Sequence, residues 1–243
     1  MQYDKSAGYR QEQDKYGNEF IFKMKQAYHK ANILSLVIRA CERHPAPRIL
    51  ELGPGLGELA QLLIEEFPHA VYHAIDIDQQ ILARVNARYH VHTEHIETLE
   101  DYETWQPESF QAIVGLDVWE HLPSDQLEGY TRKSLALLAE GGIFIAQVPN
   151  WGCPLAPNTL YAGDLTHTNH FNEFSAKQLL LNAGASSETI QVLPYRFPMG
   201  IIGMLRRICR AALLAHYKLA CFILGVPRLE IMTPNLIMVV KKN

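Results

Sequence analysis

The stretch "GDLTHTNHFNEFS", Gly163 to Ser175, places two imidazoles, His167 and His170, three positions apart in a segment too polar to be core. Histidine titrates nearest to neutral pH, so either ring suits removal of a proton from a substrate. The same residues also fit a helix start, with Ser175 as N-cap of a helix through "AKQLLLNAG" and the phenylalanines stapling the incoming chain to it. A second group is "ILELGPGLGEL", where Glu51 is followed by Gly53, Gly55 and Gly57. Bare backbone there lets a ligand approach closely, and the helix that follows aims its first N–H groups at it. A diphosphate-binding GxGxxG would need glycine at position 58, where Glu58 stands, and Pro54 removes a donor. Asp76 ends a strand nineteen residues beyond Gly57, where a carboxylate can hydrogen-bond both hydroxyls of a ribose. The predicted ligand is a nucleoside without phosphates. A third group, Asp117, Glu120 and His121 in "LDVWEHL", follows a strand at the carboxyl edge where open α/β sheets bind ligands. Asp117 is expected in the pocket, and Glu120 and His121 as structural links to the helix after the glycine turn. Such a set can hold a divalent metal, but no tight ligand spacing requires one, so the expectation is metal independence.

The elements that position these groups alternate between strand-like and helix-like patterns. "EFIFKMKQAYHKANILSLVIRACERH" is apolar at helical spacing from Phe20 to Cys41 and stops before "PAP", which predicts one or two covering helices. "RILELG", "AVYHAID", "FQAIVGL" and "IFIAQVP" read as strands separated by helical "GELAQLLIEEF", "DQQILARVNARY" and "SDQLEGYTRKSLALLAEGG". This order predicts an α/β fold with a doubly wound, mostly parallel sheet. "ETIQVL" and "NLIMVVKK" add two further strand-like runs, and the expected coarse count is seven strands, the last two forming an antiparallel hairpin at the edge. With 243 residues, 48% of them apolar, the chain can close a full core, and a net charge of −4 does not advertise nucleic acid as a partner. Cys41, Cys153, Cys209 and Cys221 form no CxxC pair, and the first seventeen residues lack an apolar signal-peptide core. Both features point to a cytoplasmic protein.

"LELGPGLGEL", "AIDID", "FQAIVGLDVWEHLP" and "LLAEGGIFIAQVPN" occur in the order and spacing of the class I S-adenosylmethionine-dependent methyltransferases, a family this chain resembles from about residue 48 to 150. The resemblance implies S-adenosyl-L-methionine as cofactor and a Rossmann-like fold. It also implies that Glu51, Gly53, Gly55 and Gly57 form the methionine side of the pocket, that Asp76 binds the ribose, and that Ile77 lies against the adenine. Where many members carry a "GDAE"-type acid, this chain reads "EHIE", placing His95 and Ile96 at the adenine. "DVWEHL" and a "D-x-T-H-x-x-x-F" stretch, here Asp164, Thr166, His167 and Phe171, resemble a branch acting on sugars and small hydroxylated metabolites in bacterial surface-polysaccharide pathways. That likeness implies methyl transfer to a hydroxyl, with His167 as general base and His170 and Asp117 behind it. Trp151 is placed to floor a sugar.

Between Glu188 and Glu230 there is no acidic residue, while Arg196, Arg206, Arg207, Arg210, Lys218 and Arg228 are present. Projected at about 100° per residue, Arg206, Arg207, Arg210 and Lys218 share one face of a helix, opposite Met204, Ile208, Ala212, Leu219, Phe222 and Ile223. Such a helix fits peripheral membrane contact through 200–225, a homodimer interface, a lid over the acceptor, or plain packing on the sheet. The expected organisation is a helical cover (1–45), a cofactor-binding core (46–195), a basic amphipathic insertion (196–230) and a last core strand (231–243). Three other functions share parts of this pattern: a non-catalytic partner or sensor protein, a nicotinamide oxidoreductase, and a protein methyltransferase. The missing third glycine disfavours the oxidoreductase, and "LDVWEH" in place of an "NPPY"-type motif disfavours methylation of nucleic-acid bases.

Overall fold

The computed structural model describes residues 19–96, 98–107, 109–154, 163–197 and 201–243. The polar first seventeen residues and the side chain of Arg207 lie outside the described residues. Helix α1 (Glu19–His29) runs through a π-helical turn (Lys30–Leu34) into α2 (Ser35–Cys41), ending ahead of Pro45 and Pro47. Then follow β1 (Arg48–Leu52), α3 (Glu58–Glu66), β2 (Val71–Asp76), α4 (Gln79–Tyr89), β3 (His92–His95), α5 (Leu99–Glu103) and β4 (Phe110–Leu116). The chain continues with α6 (Leu127–Leu137), β5 (Leu138–Pro149), α7 (Glu173–Asn182), β6 (Ile190–Pro194), α8 (Ile201–Leu224) and β7 (Asn235–Lys241).

The seven strands form one sheet in the order β3-β2-β1-β4-β5-β7-β6. Ladders among β3, β2, β1, β4 and β5 are parallel, while β7 runs antiparallel to both β5 and β6, so the sheet is mixed. The last two strands thus form the expected antiparallel pair at the edge, with β7 inside and β6 outermost, and residues 195–234, with α8 among them, connect them in place of a tight turn. Burial explains this arrangement. Leu236 to Val240 are all buried and need neighbours on both sides, whereas β6 is only half covered and can serve as an edge. The opposite edge, β3, is a short polar "HTEH", which resists pairing with another chain.

Side chains alternate across the sheet into two cores. Leu50, Ile113, Phe144, Ala146 and Met238 meet α6 and α7, and Ile49, Ala112, Val114, Ile145 and Val239 meet α2, α3 and α4. Strand order reverses between β1 and β4, so the loops leaving their carboxyl ends diverge and open a crevice there. The glycine turn after β1 and Asp117 after β4 meet in that crevice.

Candidate active site

The glycine turn forms one wall. Gly53, Gly55 and Gly57 all adopt positive φ, at 66°, 55° and 82°. A Cβ at Gly53 would lie 2.6 Å from Val118 Cγ2, and one at Gly57 would strike the ring of Tyr89. Only glycine keeps this cradle open, and it leaves a cleft of about 160 Å³ lined by Glu51, Gly53, Pro54, Gly55 and Asp117 among others. Glu51, at the end of β1, is buried, and its Oε2 has no hydrogen-bond partner among the described residues. Burial, with Glu58 nearby, holds its carboxyl well above the usual range. A cationic ligand group would relieve both conditions.

Asp76 closes β2. Its Oδ1 accepts from the Asp78 N–H at 2.8 Å, and burial raises its pKa to about 6. Asp78 caps α4 by accepting from the Gln80 N–H at 2.8 Å, which fixes the loop that carries Ile77. Ile77 is 59% exposed beside Asp76, an apolar face that a flat base would cover. His95 is turned to this loop: its Nε2 lies 2.9 Å from the Ile77 carbonyl and its Nδ1 3.3 Å from Gln79 Nε2. Ile96 is buried and donates its N–H to the Asp76 carbonyl. His95 and Ile96 thus brace the loop that carries Ile77 from behind.

On the other side of the crevice, Asp117 sits past β4 with φ 57°, a left-handed conformation that aspartate tolerates and that often marks a functional position. Gln147 Nε2 donates to both of its carboxylate oxygens, at 3.1 and 3.2 Å. The segment carrying the two histidines is clamped onto "DVWEHL". The Glu120 carbonyl accepts from the N–H groups of Thr168 (2.8 Å) and Asn169 (3.1 Å), and Asn169 Nδ2 reaches the carbonyls of Trp119 and Leu122. This clamp sets the His167 ring 4.6 Å from that of His121, tilted by 58°. Asp164 Oδ2 lies 3.8 Å from His167 Nε2, and Asp164 Oδ1 accepts from Thr166, whose hydroxyl meets His121 Nδ1 at 2.8 Å.

His167 and His170 stand on a non-helical segment, because residues 163–170 are turn and irregular chain. His170 instead packs edge-on against Trp151, ring centroids 4.2 Å apart. The helix start is also displaced from Ser175. Asn172 is the N-cap, accepting from the N–H groups of Phe174 and Ser175, and the Ser175 hydroxyl answers by accepting from the Asn172 N–H. Asparagine in extended conformation caps better here because its side chain reaches two free donors, while Ser175 already lies inside the helix. Phe171 anchors the entry and Phe174 points outward.

Sequence motifs did not mark Lys25, Tyr28, His29, Gln147, Tyr195 or Asn235, all of which line the cleft. The first three come from α1, and the π-helical turn behind them is tied across by Asn32, which bonds both the N–H and the carbonyl of Arg196. Tyr28 stacks on Tyr195 at 5.5 Å.

Comparison with known proteins agrees with this geometry. A family model described as a methyltransferase domain matches residues 25–188, well over half of the chain. The chain belongs to this methyltransferase-domain family, and S-adenosyl-L-methionine is its cofactor. Among solved structures, a SAM-dependent methyltransferase from Archaeoglobus fulgidus superposes with TM-score 0.59 at 14% identity, covering 86% of this chain and 94% of that one. Phosphoethanolamine N-methyltransferase 2 of Haemonchus contortus, solved with S-adenosyl-L-methionine, gives 0.57 at 16% identity over 86% of this chain and 52% of that one. At these identities the likeness is one of fold. Ribosomal RNA small subunit methyltransferase A of Aromatoleum aromaticum is 36% identical over 58 residues, 24% of this chain, and the match spans 21% of that protein.

The residues present fit the cofactor. The unpartnered buried Glu51 oxygen suits its ammonium, the Gly53 to Gly57 cradle its methionine chain, the Asp76 carboxyl its ribose and the bare Ile77 its base.

Proposed function

We propose that the protein transfers the methyl group of S-adenosyl-L-methionine to a hydroxyl oxygen of a saccharide or another small hydroxylated metabolite. The clamp between "DVWEHL" and "GDLTHTNHF" carries this reading, because it gathers His167, His121 and Asp164 into a polar wall on the turn that follows Asp117 in the cleft. The cofactor supplies an activated methyl group, which leaves the protein to place the acceptor oxygen and take its proton. His167 is assigned that proton, with His170 and Asp117 next in line. Trp151, backed by His170, is 42% exposed and offers an aromatic face on which a sugar ring can rest.

Incubation with methyl-labelled S-adenosyl-L-methionine and a fractionated bacterial lysate tests the acceptor class. Label in lipid-linked or nucleotide-linked saccharide supports the proposal. Label in protein or nucleic acid overturns it, and no label in any fraction favours a non-catalytic partner or sensor.

Helix α8 extends the proposal to location. Ile208, Leu219 and Phe222 are 63%, 56% and 84% exposed, so packing on the sheet does not occupy them. Lys218 is turned to Glu230 at 2.7 Å and Arg206 lies over the Phe197 ring, so these cations flank the side facing the protein while the apolar residues point away. None of the described helices is long and apolar enough to cross a membrane. The proposed arrangement is a cytoplasmic enzyme that docks α8 reversibly on an anionic leaflet and works on a lipid-linked acceptor.

A further inference from the structure

Glu120 has no role in the proton transfer proposed above, and its surroundings are unusual. Its side chain is fully buried, and neither carboxylate oxygen has a hydrogen-bond partner among the described residues. A buried carboxylate in that condition is costly unless a cation meets it. Two imidazoles stand beside it: one ligand atom from each of Glu120, His121 and His167 lies within 4.8 Å of the others. Sequence spacing hid this set, because His167 arrives from a separate segment through the clamp on the Glu120 carbonyl.

We propose that Glu120, His121 and His167 form a binding site for one divalent transition-metal ion of the zinc class, with a coordination position left for an acceptor oxygen. Two histidines and one glutamate make a known donor set for zinc that keeps an open position. Bonds of about 2.0–2.2 Å would hold the donors about 3–3.6 Å apart, so the three side chains need close by only about 1 Å from their present spacing. One outer contact is already that of a metal-bound imidazole, whose second nitrogen is held by an oxygen, and a carboxylate stands near the other ring. Thr166 Oγ1 meets His121 Nδ1 at 2.8 Å, Asp164 Oδ2 faces His167 Nε2 at 3.8 Å, and Asp164 orients Thr166. This inference departs from the metal independence expected from spacing alone. It rests on the proposed function only for the identity of the acceptor oxygen; with the ion in place His167 is a ligand and the acceptor's proton passes to His170 or Asp117, the groups next in line, while the ion itself is tested without turnover.

The full chain, stripped with chelator and dialysed, is titrated with Co²⁺ as an optical probe, while calorimetry follows S-adenosylhomocysteine. One Co²⁺ per chain is expected, with visible bands of a nitrogen- and oxygen-bound ion and a raised unfolding midpoint. Glu120→Gln and His121→Ala should each weaken Co²⁺ binding at least about 100-fold and abolish the bands, while affinity for S-adenosylhomocysteine, which reports that the fold is intact, stays unchanged. Wild type that binds no Co²⁺, or binds it as well as Glu120→Gln does, overturns the site. Should either variant fail to bind S-adenosylhomocysteine, the remaining variant and His167→Ala decide by the same optical readout. Metal binding with label in a non-hydroxyl acceptor would retain the site and reject the proposed function, and the reverse outcome would reject the site alone.

Discussion

Asp76 makes the most exposed prediction at the residue scale. Its ionised carboxylate is the form that accepts both ribose hydroxyls, and burial places its pKa at about 6. Cofactor affinity should therefore fall as pH drops through about 6 in the wild type, and calorimetry on Asp76→Asn should show a flatter profile. Asp76→Ala should cost about 1.5–3 kcal/mol of binding at neutral pH, and an unchanged affinity would remove Asp76 from the site. Glu51 carries the opposite tension between stability and function. Its folded-state pKa lies well above the ordinary 4.5, so as pH rises past that value the unfolded chain ionises first and stability is lost. Ligand-free Glu51→Gln should melt higher than wild type at pH 8, converge with it near pH 4.5, and bind cofactor more weakly. Equal melting at every pH would contradict the buried, unpartnered carboxyl. Asp76, the glycines and the histidine pair were legible because each sits in a motif. Glu120 was legible only as a link, since a buried orphan is a property of what surrounds a residue and not of its neighbours in sequence.

Elements decide where those side chains stand. Gly57 combines a φ of 82° with Tyr89 packed where a Cβ would be, so Gly57→Ala should destabilise by more than about 1 kcal/mol and also lower cofactor affinity. Asn172→Ala should cost about 1 kcal/mol through loss of the α7 cap, lowering the unfolding midpoint by roughly 2–4 °C, with cofactor affinity retained. Thermal melts of the two variants separate a turn that serves the site from a cap that serves the fold. The buried strands and amphipathic helices could be read from periodicity alone. β3 could not, because "HTEH" has no apolar alternation and owes its strand to pairing with β2. The insertion of β7 between β5 and β6 was equally hidden, since sequence order carries no record of which strand completes the inner sheet.

At the scale of the molecule, the site lies at one edge of the sheet and α8 presents an unpartnered apolar face. An anionic surface attracts nearby cations by about 1 kcal/mol each, and burial of Ile208, Leu219 and Phe222 would add to that. Flotation with anionic vesicles should recover the protein at low salt, less at high salt, and little on neutral lipid. Charge reversal at Arg206, Arg207 and Arg210 should weaken recovery without altering cofactor binding. Failure of wild type to float at low salt, or a concentration-dependent dimer that covers this face, would contradict the docking. The amphipathic pattern was visible in sequence, but the direction it faces was not: the contacts of Lys218 with Glu230 and of Arg206 with Phe197 depend on how the chain returns.

The central claim is that a methyl group moves to a hydroxyl oxygen at the edge built by "DVWEHL" and "GDLTHTNHF". Its most direct test is the reaction product formed from ¹³C-methyl S-adenosyl-L-methionine, read by NMR, because the carbon shift reports which atom the methyl group has joined. The account predicts an oxygen-bound methyl on a saccharide or small hydroxylated metabolite, with product formation slowed about 10²–10⁴-fold in His167→Ala while affinity for S-adenosylhomocysteine is retained. A nitrogen-, sulfur- or carbon-bound methyl, or undiminished turnover in the His167, His170 and Asp117 variants alike, would contradict it.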